Sequence, residues 1–200
     1  MILYFIRHGQ TDWNLSGRIQ GSRNCKLNET GLRQSEELGK TLSESGYAIS
    51  RVYSSKQKRA LKTASIVCDA IHAPLFPVSG LQEVNFGDWE GLTWHEVKTR
   101  YPREFALWQA DTRYSRAHRG ESYQDMLERS LKAVNKIIEE CREDVAVVTH
   151  GAVIMGLLSN IYNAAFDEAG KYLKGNCSVT PIDSALLTYP KGHTITCSAV

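Results

Sequence analysis

Ile2-Leu3-Tyr4-Phe5-Ile6, running into Arg7-His8-Gly9, and Val145-Ala146-Val147-Val148-Thr149, running into His150-Gly151, decide the fold. Apolar residues in unbroken series, with no polar alternation, suit strands covered on both faces, as in a parallel sheet layered with helices. Arg51 to Ser54 is a weaker third strand, and Leu75 to Val78, after Pro74, a fourth. Ala185 to Tyr189 and Thr194 to Cys197 flank the turn sequence Pro190-Lys191-Gly192-His193, so a terminal hairpin is expected.

Helical patterns lie between the strands. Thr30 is placed to cap a helix that runs to Gly46. Ala60, Ala64, Val67 and Ile71 recur at helical spacing between Gln57 and His72. Ser122 with Asp125 resembles a capping box opening a helix with Leu127, Leu131, Val134 and Ile138 on one face. Thr93 with Glu96 is a second box, and its helix should stop before Pro102. Strands alternating with helices imply an α/β protein: a three-layer α/β/α sandwich around a mostly parallel central sheet. The stretch from about Val84 to Gly120 breaks the alternation and gathers Phe86, Trp89, Trp94, Phe105 and Trp108. It is expected to form a small inserted helical lobe over one end of the sheet. With no repeat, low-complexity tract or linker, residues 1–200 are expected to form a single domain.

Composition narrows the function. Twenty-four Lys and Arg against 22 Asp and Glu give a net charge of +2, without the strongly basic signature of a nucleic-acid-coating chain. At 42% hydrophobic and 23% charged residues a packed core is attainable. No apolar run approaches the roughly 18–20 residues of a membrane span. Ile2 to Ile6 is too short for a signal-peptide core and is closed by Arg7. Cys25, Cys68, Cys141, Cys177 and Cys197 are an odd, scattered set without a CxxC, which reads as reduced thiols in a cytoplasmic protein.

The chemistry is at the two strand-to-His-Gly junctions. In parallel α/β sheets ligands bind beyond the carboxyl ends of the strands, so His8 and His150 should meet at one site if their strands are neighbours. Two histidines alone suit a metal. Arg7 beside His8, and no carboxylate or cysteine at ligand spacing, favour an anion, with the guanidinium fork matched to phosphate oxygens. A helix beginning at Gly151 adds N–H groups and a positive dipole end. The bland alternative is that the two histidines are unrelated strand-end residues.

Further segments resemble a known family. Arg7-His8-Gly9-Gln10-Thr11, with Asn14 following, is similar to the RHG signature of the histidine phosphatase superfamily, the group that includes the cofactor-dependent phosphoglycerate mutases. Ser54-Ser55-Lys56-Gln57-Lys58-Arg59-Ala60 with Thr63-Ala64 resembles its second segment, and Leu81 to Gly91 its third, with the acid at Glu83. Val147 to Gly151 resembles its fourth. RHG alone is a weak signal; four segments in the family's order, spanning Ile2 to about Ile154, are a specific one.

The resemblance implies that His8 is the nucleophile, becoming a phosphohistidine, and that Arg7, Arg59 and His150 surround the phosphoryl oxygens. Asn14 is expected to add a hydrogen bond, with Thr11 and the Gly151 N–H as softer candidates. Arg7 and Arg59 should push the His8 pKa down and keep its attacking nitrogen unprotonated. Glu83 is the expected proton donor to the leaving alkoxide and then the base that activates water. Its pKa is pulled both ways, upward by burial and a dianionic substrate and downward by two arginines. Asp88 and Glu90 are rival acids nearby. The scheme calls for no metal and no organic cofactor.

The implied function is hydrolysis of small phosphorylated metabolites. The family's mutases are longer, with segments closing over the site, whereas 200 residues leave little to shut a pocket, and Gln10-Thr11 is more like the phosphatases. Alternatives are a phosphoglycerate mutase-type phosphoryl transferase and a non-catalytic phosphate-binding module. α-Ribazole-phosphate phosphatase and sugar bisphosphatase activities stay open, as does a homodimer. Arg113, Arg116, His118 and Arg119 form a basic cluster, read first as a solvated loop. About half of Phe86, Trp89, Trp94, Phe105, Trp108 and Tyr114 are expected in the lobe core and the rest against the substrate. Gly175-Asn176-Cys177-Ser178 is a candidate loop beside the site.

Overall fold

The computed structural model describes residues 1–166, 168–172 and 174–187. Strands β1 (Ile2–Arg7), β2 (Arg51–Ser55), β3 (Leu75–Val78), β4 (Val145–Thr149) and β5 (Val179–Asp183) form one sheet in the order β3-β2-β4-β1-β5. The first four run parallel, and β5 lies antiparallel to β1 at the edge. Helices α1 (Asp12–Leu15), α2 (Glu29–Glu44), α3 (Lys58–Ile71), α4 (Trp94–Arg100), α5 (Pro102–Ala110), α6 (Tyr123–Glu140) and α7 (Gly151–Tyr162) complete it.

Each central strand is buried because both its faces are covered. Leu3, Phe5, Tyr53, Val145 and Val147 point to one side and pack with Leu127, Leu131, Val134 and Ile138 of α6 and with Val153 and Leu157 of α7. Ile6, Val52, Ala146 and Val148 point to the other and pack with Leu38 and Leu42 of α2 and Ala60, Ala64 and Val67 of α3. The period of two along each strand thus divides one apolar run between two cores. The expected α/β/α layering follows.

Local signals set most helix ends. The capping boxes at Thr93/Glu96 and Ser122/Asp125 both form, and α3 ends at His72 in the left-handed conformation. Helix α2 begins earlier than expected: Asn28, not Thr30, accepts from the Gly31 N–H. The first strand of the expected terminal hairpin is a correction. Ser184–Leu186 is a short 3-10 turn capped by the Asp183 side chain, and the last described strand is Val179–Asp183. Pro181 obscured that strand, yet on an edge its missing N–H costs no ladder bond. The turn at Pro190 and the strand at Thr194 lie outside the described residues.

Between Val84 and Gly120 the chain forms a short 3-10 turn at Gly87–Trp89, then α4 and α5. Trp89 is fully buried at the centre of rings from Trp94, Phe105 and Trp108, which also meet Phe86 and Tyr123. Reciprocal bonds of Ile19 with Gly91 and Leu92, 2.8 and 2.9 Å long, stitch this lobe to the segment after α1.

Candidate active site

Strands β1 and β4 are adjacent and in register, with Arg7 opposite Thr149, so the residues that follow them are neighbours. The His8 N–H donates to the Thr149 carbonyl at 3.0 Å. The two imidazoles come to 5.2 Å between ring centroids, both buried. Gly9 makes this turn feasible: a Cβ there would sit 2.5 Å from the Gly31 carbonyl oxygen of α2.

His8 is held in one tautomer. Its Nδ1 lies 2.7 Å from the Gly9 carbonyl, an acceptor only, so Nδ1 carries the proton and Nε2 the lone pair. Arg59 Nε donates to that Nε2 at 3.2 Å. Arg59 is fully buried in the first turn of α3, its Nη1 and Nη2 donating to the carbonyls of Arg23 (2.7 Å) and Gly21 (3.0 Å). Thr63, one turn later, accepts the Gly9 N–H at 3.0 Å and so ties α3 to the His8 turn.

His150 precedes α7. Its Nε2 is 2.9 Å from Ser55 Oγ at the end of β2, while its Nδ1 is buried without a partner. With the Ser55 hydroxyl donating, Nδ1 carries a free N–H. Arg7 Nη1 donates to the Lys174 carbonyl at 3.1 Å, and its Nε is likewise buried and unpartnered. Two unsatisfied buried donors beside a neutral imidazole fit an anion.

Burial comes first among the causes that push His8 well below its usual pKa, with the Arg59 charge second and Arg7 a smaller contribution. His150 is lowered in the same way, by burial and then Arg59. The arginines thus act as expected but rank behind desolvation. Glu83 is raised: burial outweighs Arg59 and the N–H groups of Val84 (3.0 Å) and Ala152 (3.4 Å) that its carboxylate accepts. Its loop is clamped by Arg129 of α6, which donates to the carbonyls of Gly80, Gln82 and Glu83.

A cleft of about 430 Å³ opens over this group, lined by Arg7, His8, Asn14, Glu83 and Gly151. Its outer wall includes Phe86, Trp94, Tyr123 and Met155. Arg59 and His150 are fully buried and adjoin the His8 ring, Arg59 through its hydrogen bond and His150 with ring centroids 5.2 Å apart, and neither is among the residues that line the cleft. Thr11 is also fully buried. Its hydroxyl caps α1 by accepting the Asn14 N–H and donates to Asn14 Oδ1, both at 3.1 Å, so it acts on the cleft through Asn14. Of the six aromatics weighed in the sequence, Phe86 and Trp94 face the cleft, Trp89, Phe105 and Trp108 pack with the core, and Tyr114 is exposed.

The basic cluster is largely paired on the surface: His118 and Arg119 with Asp88, Arg116 with Asp125, and Arg113 with Gln124. Asp88 is thereby engaged away from His8. Asn176 Nδ2 donates to the His8 carbonyl at 2.8 Å, so the loop before β5 does border the site. Burial, only partly offset by a hydrogen bond with the Ser35 hydroxyl, raises the Cys177 thiol there to about 11. Sequence reasoning missed Ser55, Arg129 and the role of Asn176. Only Ser55, at a strand end, carried a positional signal. Among the described residues no group of three or more His, Cys, Asp or Glu side chains is arranged to hold a metal ion, and no helix is long and apolar enough to cross a membrane.

A family model described as the histidine phosphatase superfamily (branch 1) matches residues 3–186. The chain is 33% identical over 180 residues to a metal-independent phosphoserine phosphatase of Arabidopsis thaliana, covering 88% of this chain and 74% of that protein. It is 34% identical over 172 residues to human 6-phosphofructo-2-kinase/fructose-2,6-bisphosphatase 3, covering 86% of this chain but only 31% of that longer protein. The solved structure of Bacillus stearothermophilus YhfR superposes with a TM-score of 0.82 at 33% identity, covering 91% of this chain and 90% of that one.

Proposed function

The chain belongs to the histidine phosphatase superfamily and is a phosphatase, and we propose that it hydrolyses small phosphate monoesters through a phosphohistidine on His8. The observation that carries this reading is the His8 tautomer: Nδ1–H on Gly9 O leaves the Nε2 lone pair beside Arg59, in the cleft that holds Glu83.

In the first step His8 Nε2 attacks phosphorus, the P–O ester bond breaks, and the leaving oxygen takes the proton from Glu83. The unpartnered N–H groups of Arg7 and His150, with Arg59 and the Asn14 side-chain amide, meet the charge on the equatorial oxygens. In the second step Glu83, now a carboxylate, takes a proton from water as its oxygen attacks phosphorus. The P–N bond breaks, and orthophosphate leaves with His8 neutral again. No step calls on a metal ion or an organic cofactor.

The cleft favours substrates with one phosphate and an uncharged body. Of the residues that line it, Arg18 is the only cation apart from Arg7. It already donates to the Gly91 carbonyl and to Glu96. Phe86, Trp94, Tyr123 and Met155 offer apolar surface instead. Trp94, in the wall of the same cleft as His8, is 40% exposed, which supports water reaching the phosphohistidine and so hydrolysis over return of the group to a second alcohol. The four described cysteines are free thiols, as suits the reducing cytoplasm. The test is orthophosphate release from p-nitrophenyl phosphate and from an alkyl phosphate. Release by the native chain and its loss in His8→Ala support the reading, and equal rates in the two overturn it.

A further inference from the structure

Glu90 has a buried carboxylate, its side chain only 3% exposed, and is not among the residues that line the cleft around His8. Four donors converge on it. The Ser22 N–H reaches Oε1 at 2.6 Å, the Ser22 hydroxyl lies 2.9 and 3.0 Å from the two oxygens, and the Phe86 N–H is at 3.3 Å. Arg23 Nε completes the set at 3.4 Å from Oε2. Gly21, at φ +48°, passes so close that a Cβ would collide with this carboxylate.

The loop tied down in this way turns its carbonyls toward α3. Gly21 O accepts from Arg59 Nη2 and from Gln57 Nε2, and Arg23 O accepts from Arg59 Nη1. Those two carbonyls fix the guanidinium plane, and Arg59 Nε then meets His8 Nε2. One continuous chain of hydrogen bonds runs from Glu90 through the Gly21–Arg23 turn to Arg59 and the His8 ring. Both Glu90 oxygens are occupied, which also removes Glu90 as a rival proton donor.

We propose that Glu90 is a positioning residue: by holding Ser22 and Arg23 it sets the two carbonyls that aim Arg59 at the phosphoryl site. Because Phe86 shares the same carboxylate, the lobe wall and the phosphate clamp are built as one unit. This inference rests on Arg59 binding the transferred phosphoryl group.

The experiment is a double-mutant cycle with p-nitrophenyl phosphate, in which Glu90→Ala and Glu90→Gln are each made in the native chain and in Arg59→Lys. Values of kcat, KM, competitive inhibition by inorganic phosphate and Tm are measured. In the native background Glu90→Ala should lower kcat by about 10²-fold, the scale of an ångström-level misplacement, and weaken phosphate inhibition. Glu90→Gln, which keeps one acceptor oxygen but not the charge, should lose about 10-fold. In Arg59→Lys, which cannot hold both carbonyls, either change should cost under about 3-fold, because residues acting through one network are not additive. Equal losses in both backgrounds, or an unchanged kcat and phosphate inhibition, overturn the proposal. If Glu90→Ala does not fold, the same comparison with Glu90→Gln decides. Full activity in Arg59→Lys with native phosphate inhibition would instead remove Arg59 from the clamp, a failure of the underlying reading.

Discussion

Arg59 Nε donates to His8 Nε2 at 3.2 Å, a permanent cation placed against the one ring nitrogen that carries no proton. This contact is stable only with a neutral imidazole. Together with burial, it keeps His8 unprotonated.

The pH dependence of stability follows. His8 and His150 have folded pKa values depressed well below 6.5. The unfolded chain therefore binds protons that the folded chain refuses. Their contribution is fully present above pH 6.5 and is lost as pH falls toward the depressed values, by up to about 1.4 kcal/mol per pH unit for each histidine. Glu83, raised by burial, acts in the opposite sense just above the ordinary carboxylate value. Thermal unfolding from pH 7.5 to 5.5 should show a falling Tm, with a shallower slope in His150→Gln. A flat profile contradicts the buried neutral pair.

Glu83→Gln should separate the two chemical steps. Turnover of an alkyl phosphate should fall about 10²–10⁴-fold for want of a proton donor. With p-nitrophenyl phosphate, whose leaving group needs no proton, a burst of p-nitrophenolate should survive and only the later hydrolysis should slow. Stopped-flow absorbance distinguishes the outcomes, and unchanged rates on the alkyl ester would remove Glu83 from its role.

The raised Glu83 pKa also shapes the rate profile. Alkyl phosphate turnover requires Glu83 protonated and His8 neutral, so kcat should decline as pH rises through the elevated Glu83 value in the bound complex. The decline should be absent from the burst phase with p-nitrophenyl phosphate. Identical basic limbs for both substrates contradict the assignment.

Trp94→Ala tests the apolar wall. Trp94 lines the cleft and is partly exposed, so its loss spares the core better than loss of the buried Phe86. KM for an aryl phosphate should rise about 5–10-fold, corresponding to roughly 1 kcal/mol of lost apolar contact. Inhibition by inorganic phosphate should stay unchanged, and a parallel loss of both places Trp94 at the phosphate instead.

The strand-end histidines were legible in the sequence because an apolar run fixes a buried strand and its last residue fixes the rim of the sheet. Their pairing needed only that β1 and β4 be neighbours. Glu83 and Arg59 were legible through resemblance alone, since nothing local marks a loop carboxylate or a helix-start arginine as functional. The direction of the Glu83 shift was not, because it is a contest between burial and two cations whose distances the chain does not spell out. Thr11 misled for a related reason: a hydroxyl near the motif looks like a ligand until α1, one turn long, claims it as a cap. Pro181 hid β5, and Glu90 reads as one more loop acid until the fold buries it.

The most direct measurement is an acid-free quench of the chain with ³²P-labelled p-nitrophenyl phosphate within one turnover, followed by peptide mapping. We expect a base-stable, acid-labile label on the peptide bearing His8, released as orthophosphate on the timescale of turnover and missing from His8→Ala. Active enzyme whose trapped label sits on another residue, or that never carries label while phosphate is released, contradicts a phosphohistidine at His8.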